Sequence, residues 1–432
     1  MPMACWTTGK TASAEIASLR ERVKTMTAKN LPLAGIKVVE VSMWAFVPAA
    51  GAVLADMGAE VVKIEPHTGD PMRGLTYQGI APGTGGFTFL WDIFNRGKRS
   101  VAMDLNVEGA TDVLHRLLED ADVFLVSLLP SARRKLKIDI EDICSRHPRL
   151  IYAVGSGQGA HGPEADKGGY DALSFWARGG VASAVTPDDS PHVLLQPTGA
   201  FGDSISGAIL AGGVAAALAQ RAMTGKISVV DTSLLGTSMW VMQTGIIGAT
   251  LAGVNELPKL SRDIVPNPLV NSYRTSDGRF IALCMLQSQR YWPGFCKAAG
   301  RPELINDPRF DTDENRTANL KACVTMLDEL FATRTLAEWE TILASQEGQW
   351  NIVQQAGELA RDPQAVANRF IQEVDYGDSR ALKMVSTPLQ FDRQALNARP
   401  APDLGAHNDQ VLAELGYDEE QILNLKIAGI VS

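Results

Sequence analysis

The sequence predicts an α/β protein whose large domain is a Rossmann-like, doubly wound parallel sheet, joined to a smaller α+β domain. Three observations carry the prediction. Short apolar runs alternate with helical patterns from Leu33 onward. The strand-like runs are apolar on both faces rather than alternating, as in sheets covered on both sides. The composition is globular, with 45% hydrophobic and 21% charged residues over 432 positions, enough to bury a core without disulfides.

The elements follow in order. Residues 1–32 read as a mobile leader in which Ser13 to Met26 could form a short amphipathic helix. Ile36 to Val41 (IKVVEV) reads as a buried strand, Ala49 to Met57 as a helix, and Glu60 to Ile64 (EVVKI) as a second strand, which together make a βαβ unit. Further strands are expected at Ser100 to Leu105, Asp122 to Leu128 and Leu150 to Val154, with helices near Gly109 to Asp120 and Ile140 to Arg146. Gly202 to Arg221 is a small-residue helix suited to close packing. Ser228 to Thr232 is a strand, followed by one long helix from Leu234 to about Leu251 by its pattern.

This places the first part of the large domain at 33–225 and a helix and linker at 226–265, the linker running through ELPKLSRDIVPNP with its three prolines. A small domain follows at 266–368. It opens on a hairpin that turns at Ser276-Asp277-Gly278 and continues through helices near Gln287 to Ala299 and Lys321 to Ser345. Residues 369–432, β-rich at their start, return to the large domain.

Charge and cysteine usage exclude several functions. A net charge of −9 without a basic block argues against nucleic acid, although a few focused cations can still hold a phosphorylated small molecule. The five scattered cysteines form no C-x-x-C pair, so no metal site and no disulfide framework is expected. The most apolar run, Ala208 to Ala219, is too short for a bilayer span of roughly 20 residues, and no secretory core precedes it; no membrane partner and a cytoplasmic location are expected.

Ligands of doubly wound sheets bind beyond the carboxyl ends of the strands. The first such loop, SMWAFVPAAG, lacks G-x-G-x-x-G, which disfavours a dinucleotide. The densest polar and glycine-rich stretch is Gly155 to Gly180. There Asp171 follows Gly168-Gly169-Tyr170 at the head of an apolar, helix-like run, so it is either a helix N-cap or a nucleophile or general base beside backbone N–H groups. His161 shares the loop as a solvated residue or a proton shuttle. Asn95-Arg96-Gly97-Lys98-Arg99 and Arg133-Arg134-Lys135 are either solvated rims or the lining of a phosphate cleft.

The runs LAGIKVVEVSMWAFVPAAGAVLADMGAEVVKIEPHTGDPMRG, NRGKRSVAMDL, ADVFLVSLLPSARRKLKID, GGYDALSFWARGG and GDSISGAILAGGVAAALAQRAMTGKISVVDTSLL occur in that order and resemble the class III CoA-transferases, a family that also contains 2-methylacyl-CoA racemases. The likeness resumes in NPLVNSYRTSDGRFIAL and DPQAVANRFIQEVD. It implies a large domain built from both ends of the chain and an interlocked homodimer. It also implies acyl-CoA and carboxylic acid substrates, with the CoA thioester as substrate and no permanently bound cofactor. Asp171 becomes the catalytic aspartate, which attacks the thioester to give an anhydride and then an aspartyl-CoA thioester. The implied CoA contacts are Ala45, Phe46, His67, Asn95, Arg96, Gly97, Lys98, Ser127, Leu128, Leu129, Lys135, Leu136, Ser156 and Gly157.

Departures from the formyl-CoA transferase pattern are Ala45 for glutamine, Ser127 for asparagine, Lys135 for arginine and Ser156 for lysine, with no GGGGQ-like loop after Asp231. Adenine and diphosphate contacts can drift, but the missing glutamine and lysine weaken the case for a small dicarboxylate. Trp44, Phe46 and Trp176 suggest a bulkier apolar acyl group, or else fill the core. The racemase reading needs an acid/base partner; racemases carry a histidine where this chain has Tyr170, which leaves His161 as the nearby substitute. A non-catalytic acyl-CoA-binding homologue is a third reading.

Overall fold

The structure, a computed structural model, describes residues 30–75, 87–259, 261–262, 265–377 and 380–432. The amphipathic stretch Ser13 to Met26 and Cys5 lie outside them. The chain divides into two compact units, one comprising the segments up to Glu256 and from Pro363 onward, the other Leu257–Asp362.

The first unit is built on six parallel strands: β1 (Lys37–Val41), β2 (Glu60–Glu65), β3 (Arg99–Ala102), β4 (Val123–Val126), β5 (Ile151–Ser156) and β6 (Val229–Ser233), in the spatial order β3-β2-β1-β4-β5-β6. Successive side chains leave a strand on opposite faces. Accordingly Val38, Val61, Val123, Leu125, Ile151 and Ala153 enter one core, beneath α1 (Phe46–Asp56), while Val39, Val62, Phe124, Val126, Tyr152 and Val154 enter another, beneath α2 (Ala110–Glu119) and α3 (Ile140–Arg146). Both faces being covered explains why the strands read as unbroken apolar runs.

The first core is completed by α4 (Phe201–Thr224), whose Gly207 lies against α1: a Cβ there would stand 2.5 Å from the Ala49 Cβ. By length and composition α4 is apolar enough to cross a membrane. Here its Leu210, Ala211 and Val214 are fully buried against the sheet and α1.

Two expected elements come out differently. The long helix after β6 is two helices, Leu234–Val241 and Gln243–Ala252, bent by 69° at Met242, because apolar periodicity does not register a bend. Lys321 to Ser345 is likewise two helices, Leu320–Phe331 and Leu336–Leu343, the second opened by a Thr335–Glu338 capping box. The tail carries two short hairpins and then two helices, Asn408–Glu414 and Glu419–Ile427, whose Leu412 and Ile422 join the second core. An antiparallel bridge links Val431 to Met103, just beyond β3.

The second unit has its own three-stranded antiparallel sheet, β7 (Val270–Arg274), β8 (Phe280–Cys284) and β9 (Trp350–Ile352), and a core holding Trp292, Phe295, Phe331 and Trp339.

Candidate functional site

The sheet's winding reverses between β1 and β4, so the loops after these strands diverge and open a crevice at the carboxyl edge. A cavity of about 1050 Å³ lies there, lined from the loops after β1, β4 and β5 and by the end of β6. Met43 N–H donates to Ser127 Oγ at 3.0 Å across the reversal and ties the first two loops together.

The β1 loop is anchored from below by a buried charge network. Glu40 and Lys63 are register partners on β1 and β2, and both are fully buried. Glu40 Oε1 accepts from Lys63 Nζ at 3.2 Å and from Lys98 Nζ at 2.9 Å, while Lys63 also reaches Asp70 Oδ2 at 3.0 Å. The spare protons hold the loop and the helix that follows: Lys63 donates to Ser42 O at 2.9 Å and Lys98 to Pro48 O, in the first turn of α1, at 2.9 Å. Asp70 Oδ1 accepts from Trp44 N–H at 3.2 Å, at a φ of 68° that a bulky residue rarely adopts. Trp44 thereby meets Tyr170 edge to face, ring centroids 5.6 Å apart, and both line the cavity.

Asp171 begins a π-helical turn, Asp171–Ala177, an irregularity frequent at functional sites. Its carboxylate does not cap its own turn. Oδ2 instead accepts from the N–H of Gly202, at 2.9 Å, in the first turn of α4. The helix therefore presents its positive end to this anion. Only glycine fits at 202, because a Cβ would stand 2.5 Å from Asp171 Oδ1 and 2.2 Å from Phe175 Cγ. Among the described residues Oδ1 has no hydrogen-bond partner. Burial raises the Asp171 pKa, opposed by the Gln196 amide and the N–H groups of Asp203 and Gly202. Asp203 lines the same cavity and is pushed up to about 7 by burial and by the Asp171 charge.

Of the residues singled out in the sequence, Phe46, Ser127, Leu128, Leu129, Ser156, Gly157, His161 and Asp171 line this cavity. The others do not. Ala45 is buried against Trp91 and Phe94 in a separate apolar cluster, and exposed His67 touches Ile430 O at 3.3 Å through Nε2. Asn95 and Lys98 bond to each other below the β1 loop, and Gly97 N–H donates to Pro400 O. Arg96 is held by Asp56 Oδ2 at 2.8 Å and by Thr387 Oγ1. Lys135 is exposed, and Leu136 packs on the second core. In the two basic clusters, then, Arg96 and Lys98 are paired internally, whereas Arg133 and Arg134 line the cavity with Asp139 and Asp166 as partners. Trp176 is core: it is 8% exposed and donates from Nε1 to Leu194 O.

Sequence reasoning missed Tyr170 as a cavity wall, and it missed Asp203 and Asp231. Asp231 had a signal, standing near the carboxyl end of a predicted strand. Asp203 had only its place in the first turn of the small-residue helix. Among the described residues no cluster of three or more His, Cys, Asp or Glu side chains could hold a metal.

The sequence profile of CoA-transferase family III matches residues 33–408. The chain is 33% identical to the (R)-2-hydroxy-4-methylpentanoate CoA-transferase of Clostridioides difficile, over 92% of this chain and 99% of that protein. It is 30% identical to the cinnamoyl-CoA:phenyllactate CoA-transferase of Clostridium sporogenes, over 91% and 95%. The crystal structure of a CaiB/BaiF family protein from Brucella suis superposes with a TM-score of 0.75 at 26% identity, covering 89% of this chain and 99% of that one.

Proposed function

From the premise that this chain belongs to CoA-transferase family III and is a CoA-transferase, we propose that Asp171 carries the transfer covalently and that the substrates are 2-hydroxy acids with bulky apolar side chains. The observation that supports the first part is the state of the carboxylate: desolvated, fixed through Oδ2 by Gly202, and, among the described residues, with no partner within hydrogen-bond distance of Oδ1.

Oδ1 attacks the thioester carbonyl, the C–S bond breaks, and an aspartyl anhydride and CoA thiolate form. The sulfur then attacks the Asp171 carbonyl, releasing the donor acid and leaving an aspartyl-CoA thioester. The acceptor carboxylate reverses both steps. No activated bond is lost to hydrolysis, so no nucleotide is required, and the CoA thioester is a substrate rather than a resident group. Both intermediates are water-sensitive, which the burial of Asp171 serves.

Trp44 and Tyr170 line the same cavity as Asp171 and favour an apolar side chain on the acid, in line with the hydroxyacid relatives. The CoA contacts we assign are those that line the cavity, with Arg133 and Arg134 at the phosphates. We also propose a homodimer. Trp240 and Leu251, 65% and 83% exposed, are among the large apolar side chains that the two helices after β6 leave uncovered and that a second copy would cover.

The test is isotope exchange. (R)-2-hydroxy-4-methylpentanoyl-CoA with its ¹³C-labelled free acid, and cinnamoyl-CoA with phenyllactate, are incubated with the full-length protein and followed by mass spectrometry. CoA is expected to move in at least one pair, and hydroxylamine to trap a hydroxamate on Asp171. Transfer that persists in Asp171→Ala refutes the covalent route.

A further inference from the structure

The cavity holds a second carboxyl that the covalent scheme does not use. Asp203 sits in the first turn of α4, one residue beyond the glycine that binds Asp171, and both side chains line the cavity. Its backbone N–H also faces the Asp171 carboxylate. Asp203 is half-buried, and among the described residues no cation contributes to the surroundings of either acid. The guanidinium groups of Arg133 and Arg134, which line the cavity, are paired with other carboxylates.

The elements packed on α4 supply few other titratable groups. The π-helical turn contributes Asp171, and β6 contributes Asp231, which lines the same cavity. The one acid of α1, Asp56, is bound to Arg96, and the helix Leu234–Val241 has no ionisable side chain.

Negative charge then develops on the leaving sulfur in a cavity where, among the described residues, Asp203 has no cation partner, while Arg133 and His161 act on Asp231. A thiolate in such a place needs a proton. We propose that Asp203 is the proton store of the transfer: its carboxyl protonates the CoA thiolate expelled when Asp171 attacks the thioester, and its carboxylate takes that proton back when the thiol attacks the aspartyl anhydride. In the first step Asp203 goes from acid to anion as CoA leaves as thiol. In the second the S–H bond breaks, the sulfur joins the Asp171 carbonyl, the donor carboxylate departs, and Asp203 is again an acid. The mirrored half-reaction repeats both, so no net proton is consumed.

The energetics suit this. An alkyl thiol comparable to a cysteine side chain ionises near about 8.5, whereas Asp203 is pushed up to about 7 while Asp171 is charged and falls below that once Asp171 is acylated, so protonation of the thiolate runs downhill. Neighbouring acids driven to different pKa values are the usual mark of divided acid and nucleophile roles. The proposal rests on the reading of Asp171 as nucleophile.

The experiment compares full-length wild type, Asp203→Asn and Asp203→Glu with the faster of the two substrate pairs above, from about pH 5.5 to 9, with thermal melts to confirm folding. Wild-type kcat is expected to fall above neutral pH. Asp203→Asn is expected to lose about 100-fold in kcat, the scale of general acid–base catalysis, with little change in the acyl-CoA KM and no alkaline limb, while Asp203→Glu keeps the limb. Asp203→Asn with wild-type kcat and an intact limb overturns the proposal while leaving the Asp171 reading untouched; loss of hydroxamate trapping on Asp171 in wild type would instead remove that reading. A readout independent of any substrate is the ¹³C carboxyl resonance of Asp203 in the free protein, assigned by its absence in Asp203→Asn. Titration near neutrality supports the proposal, and titration at an ordinary aspartate value overturns it.

Discussion

At the scale of single residues, Gly202 decides the state of the proposed nucleophile. The helix can reach the Asp171 carboxylate only because no Cβ intervenes. Gly202→Ala must therefore displace Asp171 or Phe175. Overpacking of this kind costs about 1–3 kcal/mol, so a lower denaturation midpoint in urea together with reduced CoA exchange is expected; a variant as active and stable as wild type would show that the contact is dispensable. The acid limb of the pH profile belongs to Asp171. Burial raises its pKa against the pull of Gln196 and two N–H groups, and attack needs the anion, so exchange should fall on acidification and the limb should vanish from any residual rate of Asp171→Ala. Asp171 stood out in the sequence by its glycine-rich approach, as a helix N-cap or a nucleophile, and the resemblance of its YDA segment to the family favoured the second. Its partner did not stand out, because Gly202 is 31 residues further on and a glycine in FGDS carries no sign of what its N–H binds.

At the scale of elements, the loop that presents Trp44 depends on charges buried under β1 and β2. Burial alone would raise the Glu40 carboxyl, but Lys98 and Lys63 outweigh it and hold it below its ordinary value. A carboxylate whose folded pKa is depressed contributes stability that is complete above its unfolded pKa, about 4.5, and is lost as pH falls from there through the folded value. Acid unfolding of wild type should therefore be steeper than that of Glu40→Gln. Glu40→Ala strands the buried Lys98 ammonium and leaves Lys63 to Asp70 alone, a loss of about 3–5 kcal/mol, measurable by denaturant titration at neutral pH. The strands were legible as apolar runs. That Glu40 and Lys63 face each other was not, because the β1–β2 register is set by pairing across the sheet. The break at Met242 was equally silent, since LLGTSMWVMQTGIIGATLA has no proline to mark it.

At the scale of the whole molecule, each compact unit has its own core. Residues 257–362, expressed alone, should melt cooperatively around Trp292, Phe331 and Trp339; a non-cooperative melt would show that this core does not suffice. Deleting residues 404–432 removes Val411, Leu412, Ile422 and Val431 from the second core. At about 1.5–3 kcal/mol for each buried aliphatic side chain, that loss is comparable with a typical total stability of about 5–15 kcal/mol, and insoluble or dye-binding protein is the expected outcome. Local patterning by itself determined the strand and helix alternation, the parallel sheet and the carboxyl-edge location of the site, because these follow from apolar periodicity, whereas Asp171 stayed a cap or a nucleophile until the ordered family motifs were weighed. Only the tertiary structure decided which charges were available to a ligand. Arg96 and Lys98 look the same in sequence as Arg133 and Arg134, but the first two are taken up by Asp56 and Glu40 away from the cavity, while the latter two line it, paired with Asp139 and Asp166. The pairing of Asp171 with the start of α4 and its proximity to Asp203 were decided there too, since both depend on which distant segments packing brings together.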